Sequence, residues 1–527
     1  MRPRPTAGSL VLGGSAAITA AALLVAPVYL TLRAATGGAA AWEILDAQTA
    51  RIVFDTVVLV AVVCTAALLV AVPLAWLVTS TDLPLRGAVG VAAALPLVLP
   101  SYVASLALLG ALGPRGLVQQ ALEPFGVERL PDLYGLPGAA IALTLSTYPY
   151  VFLLACAGFR SLDPALAEAA RSLGRSRTAI AREVILPALR PSLAAGTLLV
   201  ALYTLADFGA VALMQYPSLT RAVYLQYTAA FDRTSAAVLG LLLAVLAAAI
   251  VTLNARVRRG AGYARIGRGS QRRPRLVRLA RWRTPAAAYA WTVVTLFLVL
   301  PLGVLCWWTI RGVRAGNAVS LAWDAAFGSV SAALGAALAA TALALPVALL
   351  ARRHPSRVSR ALARSCFVGN ALPGIVVALA LVFLGARYGG ALYQSLGMLL
   401  FAYIVRFLPE SLAGIESGLA TVGPRFEEAA RSLGRRPVEA FVRTTGRLAL
   451  PATLAGAALV FLSVMKELPA TLLLKPIGFE TLATRVWTAT TTDAYSDAAP
   501  AALLLVVLSA PLVWALTRRE ALETAHG

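Results

Sequence analysis

Apolar runs of about 20 residues, long enough to cross a bilayer, recur along almost the whole chain, and nothing else in the sequence limits its fold so severely. Twelve can be counted, near 10–32, 56–80, 89–112, 137–158, 193–214, 235–254, 286–309, 326–351, 366–386, 393–413, 452–474 and 498–517. Ala, Leu and Val dominate them without strand-like alternation. In lipid every backbone N–H and C=O must be bonded internally, so these runs predict helices rather than a barrel. With 59% hydrophobic and 13% charged residues in 527, a soluble domain around one core is excluded. The expected fold is all-α, a polytopic membrane protein of about 12 transmembrane helices.

A formal charge of +22 admits nucleic acid as a partner until its distribution is considered. The basic residues sit in alternate loops. From Arg256 to Arg283 there are eleven arginines and no acid, and five more lie in 352–364, whereas the loops at 33–55, 113–136 and 475–497 mix acids with few bases. The positive-inside rule then places both termini and the 255–285 linker in the cytoplasm, against anionic lipid. Nucleic acid is not expected, because aromatic interleaving is thin in the basic stretch. The first apolar run exceeds the 7–15 residues of a signal-peptide core, so a retained first span is expected. Cys64, Cys156, Cys306 and Cys366 fall within predicted spans without metal-type spacing, and His354 and His526 are the only histidines. No metal site is expected from them.

The octapeptide EAARSLGR occurs at 168–175 and again at 428–435. At the same offset of 260 residues Pro149 meets Pro409, Gly158 meets Gly418, Pro164 meets Pro424, Pro191 meets Pro451 and Gly196 meets Gly456. Further upstream the offset is 273, pairing Pro73 with Pro346 and Leu99-Pro100 with Leu372-Pro373. The chain therefore reads as a duplication: a first repeat 1–254 with its loop at 160–192, the Arg-rich linker 255–285, and a second repeat 286–527 with its loop at 418–451. Six spans per repeat return the chain to the same side, as in parallel repeats about an axis along the membrane normal. Both octapeptides then face the cytoplasm.

Each octapeptide is built as a short helix with a glycine stop. Asp163 can cap and Pro164 suits the first turn. Leu162, Leu166, Ala169, Ala170 and Leu173 form an apolar stripe, and Gly174 offers the left-handed stop. A second short helix is expected over Arg175–Val184, with Pro187 and Pro191 punctuating the return to the membrane. The other copy repeats this over Phe426–Leu433 and Gly434. Glu168 with Arg171, and Glu428 with Arg431, can pair at i,i+3 or reach a partner's charges. Such a loop is too short for its own core. It reads as a docking surface, or alternatively as solvated amphipathic helices lying on the bilayer.

The stretch EAARSLGRSRTAIAREVILP resembles the EAA loop of ABC importer permeases: EAA, three residues, Gly, and about nine residues later I-x-LP, with Val184 at the Ile position. The resemblance covers nearly the whole chain, since both six-span repeats fit. It implies that Glu168, Ala169, Ala170, Arg171 and Gly174, with Glu428, Ala429, Ala430, Arg431 and Gly434, form coupling helices seated in the grooves of a cytoplasmic ABC ATPase dimer. The second copy departs at its end, with Gly446 and Arg447 replacing Leu186 and Pro187.

No GxxxxGK[ST] loop is present and the only lysines are Lys466 and Lys475, so ATP enters through the partner and this chain holds no cofactor of its own. With no Ser/His/Asp constellation, catalysis by this subunit is not expected. Charge at bilayer depth is costly, and Asp207 and Glu467, which coincide at the 260 offset, lie in the fifth and eleventh runs with Lys466 beside Glu467. They are candidates for lining or gating a translocation path. The alternative is interhelical packing near a helix break, since Gly209 and Pro469 follow closely.

MKELPATLLLKPIGFETLATRVW at 465–487 looks like the matching segment of ferric-iron importer permeases, and ADFGAVALM at 206–214 resembles their first half. This implies ferric iron delivered by an extracytoplasmic binding protein. Oxygen donors suit a hard cation, and the outer loops offer Tyr224, Tyr227, Asp232, Asp493, Tyr495 and Asp497. Fused permeases for thiamine, and relatives for sulfate or polyamines, share the duplicated loop. An ion-coupled secondary transporter also favours repeats, but would need titratable groups along its path and no twin docking loop.

Overall fold

Residues 7–36, 43–114, 116–127, 130–230, 232–259, 276–316, 322–367, 369, 372–423 and 425–526 are described in the computed structural model. Most of the Arg-rich linker, 260–275, lies outside them. Among the described residues twelve helices are long and apolar enough to span a bilayer: α1 Val11–Arg33, α2 Ala47–Ser80, α3 Ser101–Phe125, α4 Leu136–Arg160, α5 Thr178–Ala206, α6 Arg233–Arg256, α7 Ala280–Arg314, α8 Trp323–Arg353, α9 Gly374–Leu392, α10 Leu396–Thr421, α11 Pro437–Met465 and α12 Tyr495–Ala515. The chain is an all-α, multi-pass membrane protein. Among the described residues the only β feature is one isolated bridge between Thr81 and Val277.

The compact units cut across the sequence repeats. One comprises residues 1–44, 223–244 and 320–485, the other 45–222, 245–319 and 486–527. In the second of these, α2, α4 and α5 pack together; in the first, α8, α10 and α11 repeat the arrangement. The glycines that matched in sequence mark where these helices cross. A methyl carbon on Gly196 would lie 2.9 Å from Cα of Val151, and one on Gly456 would lie 3.1 Å from the carbonyl of Glu410. Gly158 and Gly418 press in the same way on the Leu189–Ser192 and Ala449–Ala452 turns. Helix association in lipid rests on such close backbone approach.

Each unit also takes helices from the other repeat. Ala16, Ala20, Leu23, Ala26 and Leu30 bury one face of α1 at helical spacing against α8 and α9. In the other unit α7 packs on α3 and α12, with Trp308 Nε1 donating to the carbonyl of Gly110 at 3.2 Å.

Three expected spans are interrupted. The run at 89–112 is a nine-residue helix Arg86–Ala94, a tight turn at Leu95–Val98, and a new helix Ser101–Leu112 after Pro100, which cannot continue an α-helix. The runs at 193–214 and 452–474 stop at Ala206 and Met465. Conversely, Pro187 and Pro191 do not break the chain. Helix Arg177–Ile180 continues through a π-helical turn Ala181–Ile185 into Leu186–Ala206, so the wider turn absorbs the missing donors.

Candidate functional site: two glycine-closed loops and two capped helix breaks

The two octapeptides fold alike. Helix Pro164–Ser172 is capped by Asp163, whose carboxylate accepts from the Ala165 amide at 2.9 Å. Gly174 sits at φ +76°. Its amide donates to the Arg171 carbonyl at 3.0 Å and that of Arg175 to Ala170 at 3.1 Å, a Schellman closure. In the second copy helix Arg425–Ser432 ends at Gly434, φ +84°, with the Gly434 and Arg435 amides donating to Arg431 and Ala430 at 3.0 and 3.2 Å. The helix, glycine turn and following helix expected from sequence are therefore present in both. Glu168, Arg171, Glu428 and Arg431 are exposed, and no ion pair joins them at i,i+3 among the described residues. Exposed pairs gain too little to hold two long side chains together. The apolar stripe is uncovered: Leu173 is 81% and Leu433 83% exposed.

The two acids share a local task. Asp207 ends α5 in an extended conformation and its Oδ1 accepts from the Ala210 amide at 2.9 Å, capping the short helix Gly209–Leu213. Glu467 does the same after α11, its Oε1 accepting from the Ala470 amide at 3.1 Å to cap Pro469–Leu474. Both are buried. Thr220 Oγ1 donates to the Asp207 carbonyl at 2.6 Å and Thr471 Oγ1 to the Glu467 carbonyl at 2.7 Å.

Their remaining oxygens are satisfied differently. Ser101 Oγ donates to Asp207 Oδ2. At the position of Ser101 the second repeat has Gly374, and Arg406 Nη1 donates to Glu467 Oε2 instead. Ser146 stands where Arg406 does. One step further along the same helix, Glu410 accepts from Ser463 Oγ at 2.9 and 3.0 Å, within electrostatic reach of Arg406 and Lys466. Arg406 and Glu410 were not singled out from sequence, although they carry the signal that marked Asp207, Glu467 and Lys466: an ionisable residue inside an apolar run.

The oxygen donors expected in outer loops are distributed over the two units, Tyr224, Tyr227 and Asp232 in one and Asp493, Tyr495 and Asp497 in the other. Asp232 caps α6, accepting from the Thr234 and Ser235 amides, both at 3.0 Å; the Ser235 hydroxyl, which donates to its other oxygen, holds its carboxyl below the usual range together with these amides. Tyr227 rests against Phe383, and Tyr495 Oη donates to Asp493 Oδ1 at 3.1 Å. Asp497 opens the first turn of α12, and the hydroxyl of Tyr224 is pushed up in pKa by burial. Among the described residues no three His, Cys, Asp or Glu side chains gather as a metal-holding group.

Comparison with known proteins gives this geometry a context. The signature of the family described as "binding-protein-dependent transport system inner membrane component" matches residues 65–262 and again 340–518. The chain is 31% identical over 380 residues to the Fe(3+)-transport system permease protein FbpB 2 of Haemophilus influenzae, 71% of this chain and 75% of that one. It is 33% identical over 203 residues to a probable molybdenum ABC transporter permease of Haloferax volcanii, covering 37% and 73%. To the thiamine transport system permease protein ThiP of Brucella suis it is 31% identical over 191 residues, covering 36% and 34%. With the family matched once in each repeat, this chain belongs to the binding-protein-dependent ABC transporter permeases as a fused, double-length member.

Proposed function

We propose that the chain is the membrane-spanning subunit of an ABC importer that carries ferric iron inward, presented by an extracytoplasmic binding protein and driven by a separate ATPase dimer. The observation that carries the ferric reading is 31% identity over 71% of the chain to a permease named for Fe(3+) transport. The octapeptides supply the coupling surface: Glu168 to Gly174 and Glu428 to Gly434 stand exposed on glycine-closed helices, and the leucines they present need a partner to cover them. On this reading both loops, both termini and the basic linker face the cytoplasm.

Asp207, Lys466 and Glu467 belong to the translocation path through the helix breaks they occupy. A short helix hung on a single buried carboxylate can change its angle to the span before it without unravelling either helix.

Permeases named for molybdenum and thiamine are similar at comparable identity over shorter stretches, so the test compares solutes directly. The chain is reconstituted in vesicles with the ATPase and binding protein that copurify with it, and ATP turnover is measured with ferric iron, molybdate or thiamine. Ferric iron should stimulate turnover several-fold and the others should not. Stimulation by another solute would replace the substrate, and uptake driven by an ion gradient without ATP would replace the mechanism. In the same vesicles, Asp207→Asn with Glu467→Gln should slow uptake. Intact transport by that variant would remove these acids from the path.

A further inference from the structure

The two loops share their letters but are fastened differently. α8 ends in Arg352-Arg353, and both side chains turn onto the second loop. The Arg352 guanidinium donates to the carbonyl of Leu419, in the last turn of α10, and to that of Val422, its C-cap, where the loop begins. Arg353 Nη2 pairs with Glu427 Oε1 at 2.8 Å, inside the coupling helix, and lies 5.1 Å from the ring centre of Phe441, just beyond its glycine turn. One helix end thus holds the loop at its start, within its helix and at its exit.

In the first repeat the corresponding residues are Thr79 and Ser80 for the arginines, Ala167 for Glu427 and Ala181 for Phe441. Thr79 Oγ1 donates back into its own helix, to Ala75 at 2.7 Å. The end of α2 is committed elsewhere. The Val277 amide donates to the Ser80 carbonyl at 2.8 Å, that of Asp82 to Val277 at 3.2 Å, and that of Leu279 to Asp82 Oδ1 at 2.8 Å. All these partners belong to the segment that leads into α7. So one repeat ties the end of its second span to its own coupling loop, and the other ties the equivalent end to the inter-repeat linker.

We infer that the two coupling loops are mechanically unequal: Arg352 and Arg353 are positioning residues that make the second loop move as one body with α8, while the first loop follows its ATPase subunit more freely. This rests on the coupling role proposed above. Coupling travels through contacts that hold two elements in a fixed relation, and charge-assisted bonds ahead of the second coupling helix and within it, with the cation–ring contact beyond it, do so.

The test uses the full chain in nanodiscs and, with its copurified ATPase and binding protein, in vesicles. In hydrogen exchange, amides of 428–433 should exchange at least tenfold more slowly than those of 168–173, and Arg353→Ala should abolish most of the difference. In vesicles, Arg352→Ala with Arg353→Ala should raise the ATP consumed per ferric ion imported at least threefold, while Thr79→Ala with Ser80→Ala leaves that ratio unchanged. If the double arginine variant fails to insert, Glu427→Gln is read in its place. The charge swap Arg353→Glu with Glu427→Arg should restore much of the coupling that either single change loses. Equal exchange in the two loops, or an unchanged ratio in the arginine and glutamine variants, overturns the inference and leaves the importer reading standing. Failure of any ATPase to copurify strikes the importer reading itself.

Discussion

At the scale of single residues, the repeats show two solutions to one problem. A buried carboxylate that caps a helix with one oxygen must still satisfy the other. The first repeat uses the hydroxyl of Ser101, the second the guanidinium of Arg406, and the neighbouring positions have adjusted to match. A methyl carbon on Gly374 would fall 2.4 Å from Arg406 Nη1 and 2.7 Å from Glu467 Oε1, so serine and arginine cannot both be present. Arg406→Ser alone strips Glu467 of its partner and should cost about 3–5 kcal/mol. Gly374→Ser alone should destabilise through the clash. Together they rebuild the Ser101 and Ser146 arrangement and should recover most of the loss. Thermal unfolding of the detergent-solubilised protein reads this directly, and a double variant less stable than both singles would show that the repeats are not interchangeable here. Much of this was hidden in sequence. The charge of Arg406 and Glu410 is diluted by the apolar residues around them, and a serine bonded to an acid 106 positions away leaves no local trace.

At the scale of elements, the octapeptide loops were the most legible part of the chain, because caps and glycine stops are set by residues within one or two turns. Gly174 and Gly434 sit at φ +76° and +84°, where a β-branched side chain is strained by at least about 1–2 kcal/mol per residue. Gly174→Val with Gly434→Val should therefore misdirect the segments after both helices while the spans still insert. ATP hydrolysis should continue with uptake reduced at least tenfold. Uptake equal to the wild type would mean that the left-handed turns do not set the loop geometry that matters. The helix breaks were only half legible. Gly209 and Pro469 advertise weak points, but hydropathy runs unbroken through Asp207 and Glu467, so the spans read as continuous until the carboxylates are seen capping new helices. The π-helical turns within α5 and α11 follow the same logic in reverse, and the one in α5 carries helix past Pro187 and Pro191, which read as stops.

At the scale of the whole molecule, a sequence of apolar runs states how many helices there are and not which of them pack together, because lipid-facing and helix-facing surfaces are alike in composition. The duplication gives six spans to each repeat, and the structure groups residues 1–44 and 223–244 with 320–485, and residues 245–319 and 486–527 with 45–222. The buried face of α1, from Ala16 to Leu30, belongs to the unit whose core is α8, α10 and α11. Likewise Tyr289 of α7 donates its hydroxyl to the Val70 carbonyl of α2 at 2.9 Å. Cutting the chain within 260–275 would thus leave each fragment with a core that lacks some of its packing helices. Expressed alone, residues 1–259 and 276–527 should each be degraded or aggregate on solubilisation. Expressed together they should copurify and restore uptake, since the packing needs both segments and not the covalent link. Two fragments that are separately stable and do not copurify would show that the repeats fold as independent bundles.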